Sequence, residues 1–240
     1  MPKILFAITG SNHLTLADGT KKPTGFWAEE FVVPHSEFRH AGFEVDIATP
    51  GGVEPSVDQA SLSLEMNDND AELIQHYKDY IAQVEELKHP LALEELGDKE
   101  IEACDALFLP GGHGPMEDLA RSEALGILIR RMHEVGKLII ALCHGPAGLL
   151  PAKDEENRWI FRDYWQTAFT NEEEAAIGLL DQLEWKLESH IRELGGQFEH
   201  SPPMQPKVVA DRNLITGQNP ASASDLAHEV IARLEAAVAR

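Results

Sequence analysis

Cys143 and His144 stand together at the carboxyl end of an apolar run, Leu138 to Leu142. Gly145 permits a sharp backbone turn after them, and Pro146 suits the first turn of a following helix. Strand, sharp turn and helix make a nucleophile elbow. Such an elbow directs the side chain into the crevice beyond the strand ends, where open α/β sheets bind ligands. It also sets the sulfur near a helix N-terminus, which favours thiolate over thiol. His144 could donate to the sulfur or relay a proton. A buried structural cysteine, acting as a small hydrophobe, is the alternative reading of Cys143.

A cysteine nucleophile needs a charge partner or base, an oxyanion site and a protected pocket. Glu30 falls near one helical face with Phe26, Val33 and Phe38, pointing where apolar residues point. Buried beside sulfur, its pKa would rise and it could act as an acid or proton shuttle; partly exposed, it would do neither. Glu174 is a candidate carboxylate to orient His144, or a solvated residue in the first turn of a helix. Gly111-Gly112-His113-Gly114 follows a buried strand directly. Its amides could bind an oxyanion beside Cys143, or it is simply a tight loop. The eleven histidines form no HExxH or HxH pattern. A metal site would have to assemble from distant residues, and none is expected. Nor is there a GxGxxG or GxxxxGK[ST] phosphate cradle, so no cofactor is expected.

The elements that must position these groups alternate. Ile4 to Thr9 reads as a buried first strand, and the polar loop from Gly10 to Pro23 as a rim of the site. A helix spans Gly25 to Gly42, with a kink or restart at Pro34. Phe43 to Ala48 is a second strand. Ser56 to Gly97 is charged and helical, with Asp68-Asn69-Asp70 capping a helix through Leu73, Tyr77, Ile81 and Val84. It reads as an insertion at about 56–97 over the sheet of a single domain, 1–240. Cys104 to Leu109 is a strand broken by Pro110-Gly-Gly-His-Gly-Pro115, and helix from Met116 to Val135 leads into the elbow. Beyond it lie short strands at Arg158–Phe161 and Thr167–Thr170, an acidic helix capped by Asn171, and an amphipathic helix from Leu179 to Leu194. A tight hairpin at Val208–Thr216 and a final helix, Asp225–Val238, complete the chain. Strands alternating with helices predict an α/β fold, a mostly parallel sheet with helices on both faces.

Lys and Arg total 20 against 41 Asp and Glu, a formal charge of −21. Such a surface repels nucleic acid and anionic membrane, and neither is expected as a partner. The two cysteines, Cys104 and Cys143, form no CxxC pair and no disulfide framework. Met1 to Gly10 reads better as a strand than as a signal peptide, and no apolar segment approaches the roughly 20 residues that span a bilayer. A cytoplasmic location is expected.

Ala141-Leu-Cys143-His144-Gly-Pro146, joined to Pro110-Gly-Gly-His-Gly114 and Ile215-Thr-Gly-Gln-Asn-Pro-Ala-Ser222, resembles the ThiJ/PfpI superfamily. More narrowly, it resembles the heat-shock-31-type branch of glutathione-independent glyoxalases (glyoxalase III, D-lactate dehydratase) and holdase chaperones. The resemblance spans nearly the whole chain. It implies a flavodoxin-like sheet shared with class I glutamine amidotransferases. It also implies roles: Cys143 as nucleophile, His144 as the neighbouring catalytic histidine and Glu30 as the acid at the sulfur. Glu174 would be the third triad member, with Glu172 and Glu173 one slip away, and Gly112 and His144 would supply the oxyanion amides. His144 distinguishes the chain from the parkinsonism-associated deglycase branch, which has a different residue after its cysteine. The implied reaction converts methylglyoxal, a small 2-oxoaldehyde, to lactate through a hemithioacetal on Cys143. Alternatives are a stress holdase that captures unfolded proteins with Cys143 as an oxidation sensor, or a related amidase, peptidase or protein deglycase. The resemblance further suggests a homodimer, with the stretch from Asp68 to Leu96 capping the pocket or forming the contact.

Overall fold

A computed structural model describes residues 1–238. Its frame is a seven-stranded sheet. In chain order the main elements are β1 (Lys3–Ala7), α1 (Ala28–His40), β2 (Glu44–Thr49), α2 (Ala71–Gln83), β3 (Leu91–Ala92), α3 (Asp98–Ala103), β4 (Ala106–Leu109), α4 (Glu123–Glu134), β5 (Leu138–Leu142), α5 (Asn171–Ala176), α6 (Leu187–Glu193), β6 (Val208–Asp211), β7 (Leu214–Gly217) and α7 (Ala223–Val238). The strand order is β6-β7-β5-β4-β1-β2-β3. Every neighbouring pair is parallel except the β6–β7 hairpin. This is the expected α/β, flavodoxin-like arrangement.

The central strands read as continuous apolar runs because both faces of the sheet are covered. Alternate residues divide between two cores. Leu5, Leu107, Leu109, Ile139 and Leu214 pack with Leu125, Leu128, Ile129 and Met132 of α4. Ile4, Phe6, Phe108, Ile140 and Ile215 pack with Phe31 and Phe38 of α1 and with Leu226 and Val230 of α7. From β1 the chain moves outward through β2 to β3, and from β4 it moves the other way. The carboxyl ends of β1 and β4 therefore flank the switch point where such sheets bind ligands.

Several local expectations are corrected. Helix α1 runs unbroken through Pro34, which is itself buried. Proline forfeits one ladder bond, at a cost of about 3 kcal/mol, but Phe31, Val32 and Phe38 on the same helix are buried, each gaining about 1.5–3 kcal/mol. The segment 56–97 holds α2, with the Asp70 side chain accepting from Leu73 N–H. It also adds an edge strand, β3, paired with Ala48 and Thr49. Between Gly114 and Glu134 the helix is interrupted, restarting at the Ser122 cap of α4. Residues 158–161 form no strand; Trp165–Gln166 instead pairs with Gln197–Phe198. The amphipathic stretch from Leu179 is helical only over α6, because Leu183 bridges Leu16 and Gln182 C=O accepts from Ala17 N–H. Thr170, not Asn171, caps α5, in a capping box with Glu173.

Candidate active site

The loops at the carboxyl ends of β4 and β5, together with the start of α1, converge on one sulfur. Cys143 follows β5 with φ +60°, a left-handed conformation that costs a non-glycine residue about 1–3 kcal/mol. Two backbone bonds hold it there. Its N–H donates to Gly217 C=O at 2.9 Å, and its C=O accepts from Phe169 N–H at 2.9 Å. The turn that follows, Gly145–Leu149, is 3₁₀ rather than an α-helix, so little macrodipole reaches the sulfur. Contrary to expectation, the resting thiol is not favoured as thiolate. Burial pushes the Cys143 thiol well up, and it would be pushed further whenever Glu30 carried a charge. Cys143 is 4 % exposed.

Glu30 lies in the first turn of α1 and is fully buried. Its Oε2 accepts from Gly111 N–H at 2.7 Å, while Oε1 has no hydrogen-bond partner. The carboxyl lies against the Cys143 sulfur, and burial pushes its pKa well above the usual carboxylate range. It therefore rests as a neutral acid. Gly112 has φ +85°, and a Cβ there would stand 2.3 Å from Gly25 C=O. Only glycine fits, and its N–H faces the sulfur. A Cβ on Gly111 would meet both the Glu30 carboxyl and the His144 amide, so the Gly-Gly pair lets this loop close over the nucleophile.

His144 Nδ1 lies 3.3 Å from Cys143 Sγ, and its Nε2 lies 2.6 Å from Glu174 Oε1. With Nε2–H donated to the carboxylate, Nδ1 presents a lone pair to the thiol. Burial lowers the His144 pKa, and His113 lowers it further against the pull of Glu174. Burial acts to raise Glu174, but the His144 and His113 donors outweigh it and hold the carboxyl far below its usual value. The three adjacent glutamates separate cleanly. Glu172 is exposed. Glu173 accepts from Thr170 N–H, Thr170 Oγ1, Met204 N–H and Asn219 Nδ2. Glu174 alone turns to His144.

Sequence reasoning missed one participant, His113, and left the choice among the three glutamates open. The capping-box spacing Thr170-x-x-Glu173 would have assigned Glu173 to the helix start and left Glu174 free. His113 donates to Glu174 at 3.2 Å and its ring lies tilted against that of His144, centroids 4.0 Å apart. His113, His144 and Glu174 form a set of metal-capable donors within 4.8 Å of one another. However, 2.6 Å between His144 and Glu174 is a hydrogen-bond separation, shorter than the ~3.3 Å between two ligands of a tetrahedral zinc with ~2.0 Å bonds. The trio is a hydrogen-bonded relay.

The sequence pattern of the DJ-1/PfpI family matches residues 23–233. The chain belongs to the DJ-1/PfpI family. Among DJ-1/PfpI relatives, glyoxalase 3 of Candida albicans is 27 % identical over 98 % of this chain and 99 % of its own. The crystal structure of Candida albicans glyoxalase III superposes with a TM-score of 0.80 at 25 % identity, over 96 % of each chain. Glutathione-independent glyoxalase HSP31 of Saccharomyces cerevisiae is 27 % identical over 94 % of each chain. The protein/nucleic acid deglycase HchA of Pseudomonas aeruginosa is 28 % identical over 93 % of this chain and 78 % of its own. That last name stands against the expectation that charge excludes nucleic acid as a partner. Net charge governs the long-range attraction of a polyanion; it does not decide whether one modified group can enter a pocket. Among the described residues, no helix is long and apolar enough to cross a membrane.

Proposed function

We propose that this protein is a glutathione-independent glyoxalase that converts methylglyoxal to lactate, with Cys143 as nucleophile. The observation that carries the reading is a thiol placed between an imidazole acceptor, His144 Nδ1 at 3.3 Å, and a buried neutral acid, Glu30. One group takes a proton while the other gives one, which an internal redox of a 2-oxoaldehyde requires. The glyoxalase relatives fit the same small reactive carbonyl substrate.

His144 takes the thiol proton as sulfur attacks the aldehyde carbon, and Glu30 protonates the carbonyl oxygen to give a hemithioacetal. The Glu30 carboxylate then removes the hydrogen on that carbon, and the imidazolium protonates the ketone oxygen, giving an enediol. Glu30 returns its proton to the second carbon while His144 accepts the proton of the first hydroxyl. The result is a thioester of lactate. Water, deprotonated by Glu30, attacks the thioester, and the imidazolium protonates the departing sulfur. Methylglyoxal and water are consumed, lactate is formed and every group returns to its starting state. Gly112 N–H, which faces the sulfur, is the backbone donor to the developing oxyanion, together with the His144 amide.

A deglycase reading has one observation in its favour, the likeness to HchA, and would use the same thiol on a sugar-derived adduct. A homodimer and a cytoplasmic location belong to the proposal as well, and sedimentation and fractionation test them. The deciding experiment measures lactate from methylglyoxal with purified, reduced protein and no glutathione, with Cys143→Ala alongside. Turnover abolished in the variant supports the reading. Absence of turnover in folded wild type would sink it, and assays on glycated amino acids and on aggregation of an unfolded client would then be decisive.

A further inference from the structure

His113 touches the relay yet takes no part in the chemistry above. Its Nε2 lies 3.2 Å from Oε2 and 3.3 Å from Oε1 of Glu174. Oε1 of that carboxylate already accepts from His144. Among the described residues, His113 is the sole hydrogen-bond partner of Oε2. Glu174 is 2 % exposed, so without His113 a carboxylate oxygen would be buried and unpaired, which the carboxylate would relieve by rotating. His113 is 6 % exposed, and its ring meets His144 at 4.0 Å, tilted by 40°. Phe169 meets His144 from a second direction at 4.7 Å.

We propose that His113 is a positioning residue. By donating from Nε2 to Glu174, it locks the carboxylate in the orientation that receives His144 Nε2–H, and thereby keeps His144 Nδ1 unprotonated toward Cys143. The groups facing His144 are Glu174 of α5, His113 of the loop after β4, and Cys143, with Glu173 and Glu30 behind them. When the His113 donor is removed, the Glu174 charge is no longer shared with a second donor, and the lowering that His113 exerts on His144 is lost. The imidazole then holds its proton to higher pH and meets the thiol less often as a base.

The proposal rests on the glyoxalase reading only for its kinetic readout. His113→Phe keeps a ring against His144 and deletes the donor; His113→Gln restores an N–H donor. In His113→Phe, kcat should fall roughly 10- to 100-fold with KM within about threefold of wild type. The acidic limb of the kcat/KM profile should move to higher pH. His113→Gln should recover most of both. Equal losses in the two variants with an unmoved acidic limb would overturn the proposal and leave His113 a packing residue. Side-chain nitrogen NMR of the wild type needs no variant: both His113 and His144 should be Nε2–H tautomers, and a Nδ1–H tautomer at His113 would refute the lock. If wild type shows no glyoxalase turnover, the pH dependence of Cys143 alkylation by iodoacetamide reads the same base. An identical midpoint in wild type and His113→Phe would then overturn the proposal independently of the substrate.

Discussion

The Glu30 carboxyl lies against the Cys143 sulfur, and one of the two must hold a proton. Glu30 is buried completely, and among the described residues the Gly111 N–H is its one backbone donor. Two negative charges side by side at so buried a position would repel strongly, so the pair exchanges a proton rather than ionising together.

Glu30→Gln tests that exchange. The amide oxygen can still accept from Gly111, so the fold should hold, while kcat should fall about 10²- to 10⁴-fold, as expected for a lost general acid. Stability should shift with a defined sign. A carboxyl raised above its usual 4.5 contributes stability below that pH, and the contribution is lost as pH rises toward the folded value. The melting temperature of the variant relative to wild type should therefore climb as pH rises above 4.5. A constant difference across pH would show that Glu30 is not protonated in the fold.

Adjacent glutamates should fail in different ways. Glu174→Ala removes the acceptor of His144 and should lower kcat about 100-fold or more, as when a triad imidazole loses its orienting carboxylate. Glu173→Gln breaks a buried carboxylate with four donors and should cost about 3 kcal/mol of stability in urea titration. Reversal of these two phenotypes would mean that the glutamates are misassigned.

A methyl group on Gly111 should disable the site by displacing two groups that act on the substrate. The added Cβ would stand 2.5 Å from Glu30 Oε2 and 2.7 Å from the His144 amide. Gly111→Ala should lose at least tenfold in turnover and about 1–3 kcal/mol in stability. Gly136→Ala is the control: its φ is +73° with nothing within 4 Å, so it should cost about 1–2 kcal/mol and leave turnover at wild-type level.

Acid should loosen α2 from α1. His35 donates to or accepts from Tyr80 at 2.8 Å, and burial, with Arg39 nearby, lowers its pKa from 6.5 to about 4. A depressed imidazole contributes stability above 6.5 that is lost as pH falls through about 4. The gap corresponds to on the order of 3 kcal/mol. His35→Gln should be less stable at pH 7 and should lose less on acidification than wild type. Parallel stability curves for the two proteins would refute this.

The sheet was legible where burial writes a continuous apolar run. Leu138–Leu142, Ala106–Leu109 and the Val208–Gly217 hairpin all sit where their residue patterns put them. Position was lost where a distant partner decides. Leu179–Leu183 has a helical pattern, but pairing with Leu16 and Ala17 holds it open. Leu91–Ala92 is too short to announce itself as a strand and exists because β2 offers an edge. In the site, Cys143 and Glu30 could be singled out from their places on a strand end and an apolar helix face. His113 could not, since in the chain it is one residue of a glycine loop and its meaning comes from a glutamate 61 positions away.

The left-handed backbone at Cys143 is clamped from outside its own loop, by the last residue of β7. Four residues earlier that strand emerges from the Arg212–Asn213 turn, about 13 Å away along an extended chain. The strand between is fully buried and paired on both sides, so the strained conformation of the nucleophile is tied to the register of the sheet interior. A one-residue slip between β5 and β7 would leave every strand in place and still unseat the sulfur, so reactivity reports on alignment rather than on mere foldedness.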